Sequence, residues 1–155
     1  MTDQERDEEY MRAAIEEAVK GKGKTFPNPV VGAVIISGDE IIAKGYHEKS
    51  GGPHAEVVAL ESYDNGRYPN AEMYVTLEPC STQGRTGSCC AAIIQAQIKR
   101  VIFGSTDLNP IHNGRAVKIL QDANIDVTAG VLKRECDQLN DEYFHQMRES
   151  NLNQD

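Results

Sequence analysis

The sequence predicts an α/β protein built around one mixed β-sheet with helices on both faces. A helical pattern at the N-terminus is followed by two adjoining apolar β-branched runs, which indicate a hairpin. From residue 54 onward, helix and strand patterns alternate. Because a hairpin gives antiparallel pairing and alternating strands and helices give parallel pairing, both kinds of pairing are expected in one sheet. The length of 155 residues fits one domain, residues 1–155, with a polar tail over about 149–155.

The first four predicted elements are a helix, the two hairpin strands and a short helix. Residues 5–20 carry apolar side chains at helical spacing, and the Gly- and Pro-rich GKGKTFPNP then ends the helix. The β-branched segments VVGAVII (30–36) and EIIAKGYH (40–47) flank the turn SGDE and predict paired strands. The segment HAEVVALESY (54–63) predicts a short helix.

The remaining six elements alternate between strand and helix. The strand segments are short and rich in β-branched and aromatic residues, whereas the helix segments are longer and amphipathic. Pro79 stops the first of these strands. The predicted order is strand 71–79, helix 89–98, strand 100–107, helix 114–124, strand 125–131 and helix 132–148.

Composition and charge narrow the classes of function. The formal net charge of −8 argues against a nucleic-acid partner, because a polyanion is repelled by such a protein. No apolar run approaches the roughly 20 residues that a membrane-spanning helix needs. The acidic N-terminal segment MTDQERDEEY matches neither a secretory signal nor a transit peptide. We therefore predict a cytoplasmic protein with a small-molecule substrate, and no binding to nucleic acid or membrane.

Two stretches carry side chains that bind zinc. PHAEV contains His54 and Glu56, and TLEPCSTQGRTGSCC contains Cys80, Cys89 and Cys90. An imidazole and two thiolates make a three-ligand set that leaves a fourth position for water, as in catalytic zinc sites. H-x-E with a later P-C-x-x-C is the signature of zinc deaminases, in which the Glu transfers protons. The spacing leaves open which of the two adjacent cysteines is the third ligand.

The gap between the cysteines departs from that signature. Eight residues, STQGRTGS, follow Cys80 instead of two. We predict that this insertion forms a loop at the rim of the site and holds a substrate group. Arg85 and Thr86 within it suit contacts to a phosphate.

Taken together, these motifs resemble the pyrimidine deaminase of riboflavin biosynthesis, which in many bacteria is the N-terminal half of a deaminase–reductase. The resemblance covers roughly residues 8–148 through TFPNPVVGAVI, GYH, GGPHAEVVAL, YVTLEPCSTQGRTGSCC and DLNP. It implies a three-layer α/β/α cytidine deaminase-like fold with one central mixed sheet. It also implies Zn²⁺ on His54, Cys80 and Cys89 rather than Cys90, with Glu56 as proton shuttle.

The same resemblance implies the substrate and its contacts. The substrate would be 2,5-diamino-6-(ribosylamino)pyrimidin-4-one 5′-phosphate, or its ribitylamino counterpart where reduction comes first, and the products would include ammonia. A homodimer or larger assembly is expected. No reductase domain follows in this sequence, so the chain is either a free-standing deaminase, with a reductase possible as a separate protein, or a piece cut from a longer protein. Thr82 stands where the family usually has a His. The implied contacts are Asn28 and His47 in the pocket, Thr82 in the loop, Arg85 and Thr86 at the phosphate, and Asp107 and Asn109 beside the sugar.

Other interpretations remain open at this point. The chain could deaminate another nucleobase or nucleoside, such as guanine, cytosine or a tRNA adenosine, or it could be a non-catalytic module stabilised by zinc. The tRNA enzymes keep the two-residue gap between cysteines, and the acidic charge of this chain argues against them. Several implied contacts also have a structural alternative: PNP and DLNP are good turn sequences, and Arg85 could be an ordinary surface residue.

Overall fold

The structure, a computed structural model, describes residues 2–81, 88–106, 114–141 and 145. The described residues form five helices and five strands in the predicted order. Their bounds are α1 Asp3–Val19, β1 Gly32–Ser37, β2 Glu40–Tyr46, α2 Ala55–Glu61, β3 Glu72–Leu77, α3 Cys89–Gln95, β4 Arg100–Ser105, α4 Arg115–Asp122, β5 Asp126–Ala129 and α5 Lys133–Leu139.

The five strands form one mixed sheet, as predicted. Their order is β2-β1-β3-β4-β5. Strand β1 is antiparallel to both of its neighbours, β2 and β3, whereas β3, β4 and β5 run parallel. The carboxyl ends of the three parallel strands therefore lie at the same end of the sheet, and the segments that follow β3 and β4 begin there.

Helices cover both faces of the sheet, which gives three layers. Side chains alternate between the faces along each strand because the side-chain period of a strand is two. One face packs against α2, α3 and α4, and the other packs against α1 and α5. The buried strand residues of the core on the first face are Ala33, Ile35, Ala43, Met73, Val75, Val101 and Phe103, and those on the second are Val34, Ile36, Tyr74 and Ile102.

The predicted helix and strand limits differ from the observed ones by a few residues. Helix α1 begins at Asp3 because the hydroxyl of Thr2 accepts a hydrogen bond from the Glu5 N–H and caps the first turn. Strand β5 is shorter than predicted because the backbone turns after it, with Gly130 and Leu132 both in the left-handed region. The C-terminal part of the predicted last helix lies largely outside the described residues.

Within the described part of the chain, no helix combines the length and apolar character needed to cross a membrane.

Candidate active site

His54, Cys80 and Cys89 come together at one end of the sheet. His54 is the N-cap of α2, Cys80 follows β3 by three residues, and Cys89 is the first residue of α3. The Nδ1 atom of His54 lies 3.1 Å from the Cys89 sulfur and 3.6 Å from the Cys80 sulfur. The ligand atoms of all three residues lie within 4.8 Å of one another.

This group fits a zinc ion. With usual Zn–S and Zn–N bond lengths, two ligand atoms of a tetrahedral site are about 3.6 Å apart. The separations of 3.1 Å and 3.6 Å from His54 Nδ1 to the two sulfurs are close to that value. Two thiolates and an imidazole are also the donors that zinc prefers.

Backbone contacts hold the two cysteines together across the inserted loop. The N–H of Cys89 donates to the Cys80 sulfur at 3.1 Å, and the N–H of Cys90 donates to the Cys80 carbonyl at 3.2 Å. The hydroxyl of Ser88 accepts from the Ala91 N–H and caps α3. The eight-residue insertion is thus closed at its base, and residues 82–87 within it lie outside the described residues.

Gly45 lets α2, which begins next to His54 and carries Glu56, lie directly on β2. A Cβ atom at Gly45 would meet the carbonyl oxygen of Ala55 and would lie 2.5 Å from the nitrogen of Ala59. Any larger residue would therefore push α2 away from the sheet. The glycine of the GYH motif fixes the height of His54 and Glu56 above the strand.

Glu56 is buried beside the zinc-binding group. Its side chain lies in the first turn of α2, is 3% exposed and interacts electrostatically with His54, Cys80 and Cys89. Burial raises the pKa of this carboxyl. Hydrogen bonds from the side chains of Cys89 and His54 lower the pKa of Cys80, and the bond to Cys80 raises the pKa of His54. The arrangement places a buried carboxyl beside the two cysteines and His54.

His47 and Asn28 form a pair next to His54. The Nδ1–H of His47 donates to the carbonyl of Pro53 at 2.9 Å, because a carbonyl can only accept. In the neutral ring the Nε2 atom is therefore an acceptor, and it lies 3.3 Å from the Asn28 side-chain nitrogen. The rings of His47 and His54 meet edge to face, with centroids 5.7 Å apart. The structure thus brings these two predicted pocket residues to the zinc-binding group.

The other predicted substrate contacts lie outside the described residues. They are Thr82, Arg85, Thr86, Asp107 and Asn109. Their roles stay predictions.

Two features of the site have little or no signal in the sequence. The Pro53 carbonyl fixes the tautomer of His47, and a backbone group leaves no mark in a sequence pattern. The buried Glu78 accepts from the Ala116 N–H at 3.4 Å, while its own N–H donates to the Ser105 carbonyl at 2.8 Å. It thereby connects the end of β3 to β4 and α4. The EPC motif contains Glu78, but the motif alone does not indicate this connecting role.

Comparison with known proteins gives close relatives. The chain is 46% identical to the riboflavin biosynthesis protein RibD of Aquifex aeolicus over 138 residues, which cover 89% of this chain and 38% of that protein. The solved structure of Acinetobacter baumannii RibD, form 2, matches with a TM-score of 0.90 and 40% identity, over 94% of this chain and 41% of that one. The chain spans well under half the length of each of these relatives.

A third relative is named for two activities. It is a diaminohydroxyphosphoribosylaminopyrimidine deaminase/5-amino-6-(5-phosphoribosylamino)uracil reductase from Thermotoga maritima. Its structure matches with a TM-score of 0.90 and 38% identity, over 96% of this chain and 43% of that one. The relatives confirm the resemblance drawn from the motifs, and the structural matches confirm the predicted three-layer fold.

Residues 4–105 match the family described as the cytidine and deoxycytidylate deaminase zinc-binding region. Together with the grouping of His54, Cys80 and Cys89, this match confirms the predicted cofactor, Zn²⁺. The chain therefore belongs to the zinc-binding family of cytidine and deoxycytidylate deaminases.

Proposed function

We propose that this chain is a zinc-dependent hydrolytic deaminase of 2,5-diamino-6-(ribosylamino)pyrimidin-4-one 5′-phosphate, which loses its exocyclic 2-amino group as ammonia. The observation that carries the proposal is the buried Glu56 carboxyl against Cys89, beside His54 and Cys80. Sequence identity of 46% to a riboflavin biosynthesis protein supports the substrate class. The phosphoribosylaminopyrimidine in the name of the Thermotoga relative supports the ribosylamino form.

In this proposal His54, Cys80 and Cys89 are the zinc ligands and Cys90 is not. Cys90 is fully buried, and its sulfur lies 4.0 Å from the carbonyl of Pro79. Cys90 therefore faces the core and not the group formed by His54 and Cys80. The Cys89 sulfur, by contrast, lies 3.1 Å from Nδ1 of His54 and belongs to the group whose ligand atoms lie within 4.8 Å of one another, which supports Cys89 in that role.

When bound, Zn²⁺ would act as a Lewis acid and lower the pKa of a coordinated water to about 7. Glu56 then accepts a proton from the attacking water at its carboxylate and passes it to a ring nitrogen of the pyrimidine. A second proton travels by the same carboxylate to the leaving amine as the C–N bond breaks, so that ammonia leaves and a carbonyl remains. Burial of Glu56 keeps bulk water from competing for these protons.

His47 and Asn28 hold the pyrimidine in this proposal. The Pro53 carbonyl fixes the His47 ring, and the Asn28 side chain faces the other ring nitrogen. Such a pair can exchange hydrogen bonds with the edge of a heterocycle. Arg85 and Thr86 would contact the phosphate, with Thr82 in the same loop and Asp107 and Asn109 beside the sugar.

Several broader expectations accompany this proposal and stay predictions. We treat residues 1–155 as one deaminase domain with a polar tail. A homodimer or larger assembly is expected on the resemblance stated above, and a cytoplasmic location on the composition and the N-terminal segment. A reductase in the same pathway could be a separate protein or part of a longer chain. The acidic charge of the chain favours a small substrate over a tRNA.

The experiment that tests the function is ammonia release by the zinc-loaded protein. The ribosylamino and ribitylamino pyrimidinone phosphates are compared side by side, with cytidine, guanine and a tRNA as alternative substrates. We expect turnover of the ribosylamino compound and none of the tRNA. Turnover of cytidine or guanine alone would contradict the proposed substrate, and no turnover of any compound by the zinc-loaded protein would contradict the proposed activity.

A further inference from the structure

We infer that Asn140, at the end of α5, is a positioning residue for the substrate pocket, although α5 packs on the face of the sheet opposite α2 and α3. The inference rests on the proposed function. It concerns the loop of residues 25–30, which precedes β1 and carries Asn28. One side chain on α5 holds the backbone of this loop at the point where it enters the sheet.

Asn140 holds both backbone groups of a single residue. Its Oδ1 accepts the N–H of Val30 at 2.7 Å, and its Nδ2 donates to the carbonyl of Val30 at 2.8 Å. Asn140 is 6% exposed and Val30 is 7% exposed, so these bonds do not compete with water. These two bonds satisfy both backbone polar groups of Val30, which lies two residues before β1.

Val30 is connected to the predicted pocket residues on both sides along the chain, through Asn28 and through Val31. Two residues before it, Asn28 is fixed by hydrogen bonds to Thr25 at 2.7 Å and 3.0 Å, and its side chain meets His47. Directly after it, the carbonyl of Val31 accepts the N–H of His47 at 3.0 Å. A shift of Val30 therefore moves both predicted pocket residues, Asn28 and His47.

Packing alone does not fix this loop. A cavity of about 390 Å³ lies between residues 22–30 and the end of α5, lined by both segments. At one side of this cavity, the Asn140 amide makes its two hydrogen bonds to Val30. This space is open to solvent, and the paired hydrogen bonds from Asn140 supply a direct restraint on the loop at Val30.

Helix α5 is also connected to the segment that leads to Cys80. One turn before Asn140, Asp137 accepts a hydrogen bond from the hydroxyl of Ser105 at 2.6 Å. The carbonyl of Ser105 accepts the N–H of Glu78, two residues before Cys80. Helix α5 thus ties down both the loop with Asn28 and the segment that leads to a proposed zinc ligand.

The test compares Asn140→Ala and Asn140→Asp with the exposed control Glu135→Ala on the same helix. For each zinc-loaded protein we would measure zinc content, thermal stability, kcat and KM for the ribosylamino substrate, and the ring resonances of His47 by NMR. For Asn140→Ala we expect full zinc content, KM raised about tenfold or more with a smaller change in kcat, and shifted His47 resonances. Glu135→Ala should leave all of these unchanged.

Asn140→Asp separates positioning from stability. The carboxylate keeps the shape of the side chain and the acceptor for the Val30 N–H but lacks the donor for the Val30 carbonyl. Because the second carboxylate oxygen would repel the buried carbonyl oxygen of Val30, we expect an effect on KM and on His47 at least as large as that of Asn140→Ala. This variant also decides the question if Asn140→Ala does not fold.

Failure of this inference and failure of the proposed function would give different results. Lower thermal stability with unchanged KM and unchanged His47 resonances in Asn140→Asp and Asn140→Ala would overturn the inference, because the residue would then be only structural. If the wild type releases no ammonia, the proposed function fails, and the His47 resonances alone still decide whether Asn140 positions the pair.

Discussion

The backbone N–H of Cys89 donates a hydrogen bond of 3.1 Å to the sulfur of Cys80. This contact joins the segment after β3 to the start of α3 across the eight residues that separate the two cysteines. An N–H group directed at a sulfur favours the thiolate, the form that binds zinc. The loop can therefore vary in length while the two sulfurs stay together, which explains how a signature with a two-residue gap tolerates a gap of eight.

The first prediction concerns Glu56. Replacing it with Gln keeps the size of the side chain but removes the group that accepts a proton. We expect kcat for ammonia release to fall about 10²- to 10⁴-fold, because positioned acid–base groups contribute about that much. Zinc content, measured by elemental analysis, should stay at the wild-type level. Wild-type turnover in the Gln variant would leave the chain a zinc-stabilised module or assign the proton transfer to another residue.

The second prediction compares two neighbouring cysteines. Cys89→Ala should lose most of its zinc, whereas Cys90→Ala should keep it and lose about 1 kcal/mol of stability or more from the buried cavity. A chelator should then lower the melting temperature of the wild type and of Cys90→Ala but have little effect on Cys89→Ala. Loss of zinc from Cys90→Ala with retention by Cys89→Ala would reverse the ligand assignment.

The sequence predicts the elements well because each has a strong local signal. Strands β1 and β3 are apolar and β-branched, and Pro79 marks the end of the segment after β3. The grouping of His54 with Cys80 follows from a known signature. Spacing does not indicate whether Cys89 or Cys90 is the zinc ligand. The two residues are adjacent at the start of a helix, and only the directions of their side chains distinguish them. In the structure Cys89 points to His54 and Cys90 into the core.

Long-range backbone contacts could not be predicted. Asn140 meets Val30 across 110 positions, and His47 meets a carbonyl at Pro53. An Asn at the end of a helix usually indicates only a cap, and nothing local indicates its partner. Such contacts depend on how the layers pack, which becomes visible only when α5 is placed on the sheet.

The third prediction concerns Gly45. Gly45→Ala should reduce the free energy of unfolding by about 1–3 kcal/mol, because a Cβ there meets the backbone of α2 at Ala55 and Ala59. Since α2 carries Glu56, kcat should fall as well. Chemical denaturation and ammonia release measure the two effects. Gly66→Ala is the matched control, because a Cβ there meets only the flexible Asp64 side chain at 3.2 Å, and a change within about 0.5 kcal/mol is expected. Equal effects of both substitutions would contradict the close approach of α2.

The fourth prediction concerns stability and pH at Asp7, which lies far from the zinc ligands along the sheet. Its carboxylate accepts hydrogen bonds from Arg100 at 2.8 Å and 3.1 Å and from the hydroxyl of Tyr74 at 2.6 Å. Burial alone would raise the pKa of Asp7, but these bonds outweigh it and lower the pKa. A carboxyl whose pKa is lowered by folding stabilises the protein above the unfolded pKa of about 3.9 and loses that effect as the pH falls through the folded value.

We therefore expect Asp7→Asn to lower the free energy of unfolding by about 1.5–3 kcal/mol at neutral pH. The difference from the wild type should stay constant down to about pH 5 and shrink as the pH falls below about 4, where the wild-type carboxylate becomes protonated. Denaturant titrations of both proteins over this range measure it, and taking the difference cancels the acid sensitivity of the zinc ligands. Asp39→Asn is the control, since the Asp39 side chain is 92% exposed in its pair with Arg6 and should contribute little at any pH. A difference for Asp7→Asn that grows as the pH falls would contradict the lowered pKa.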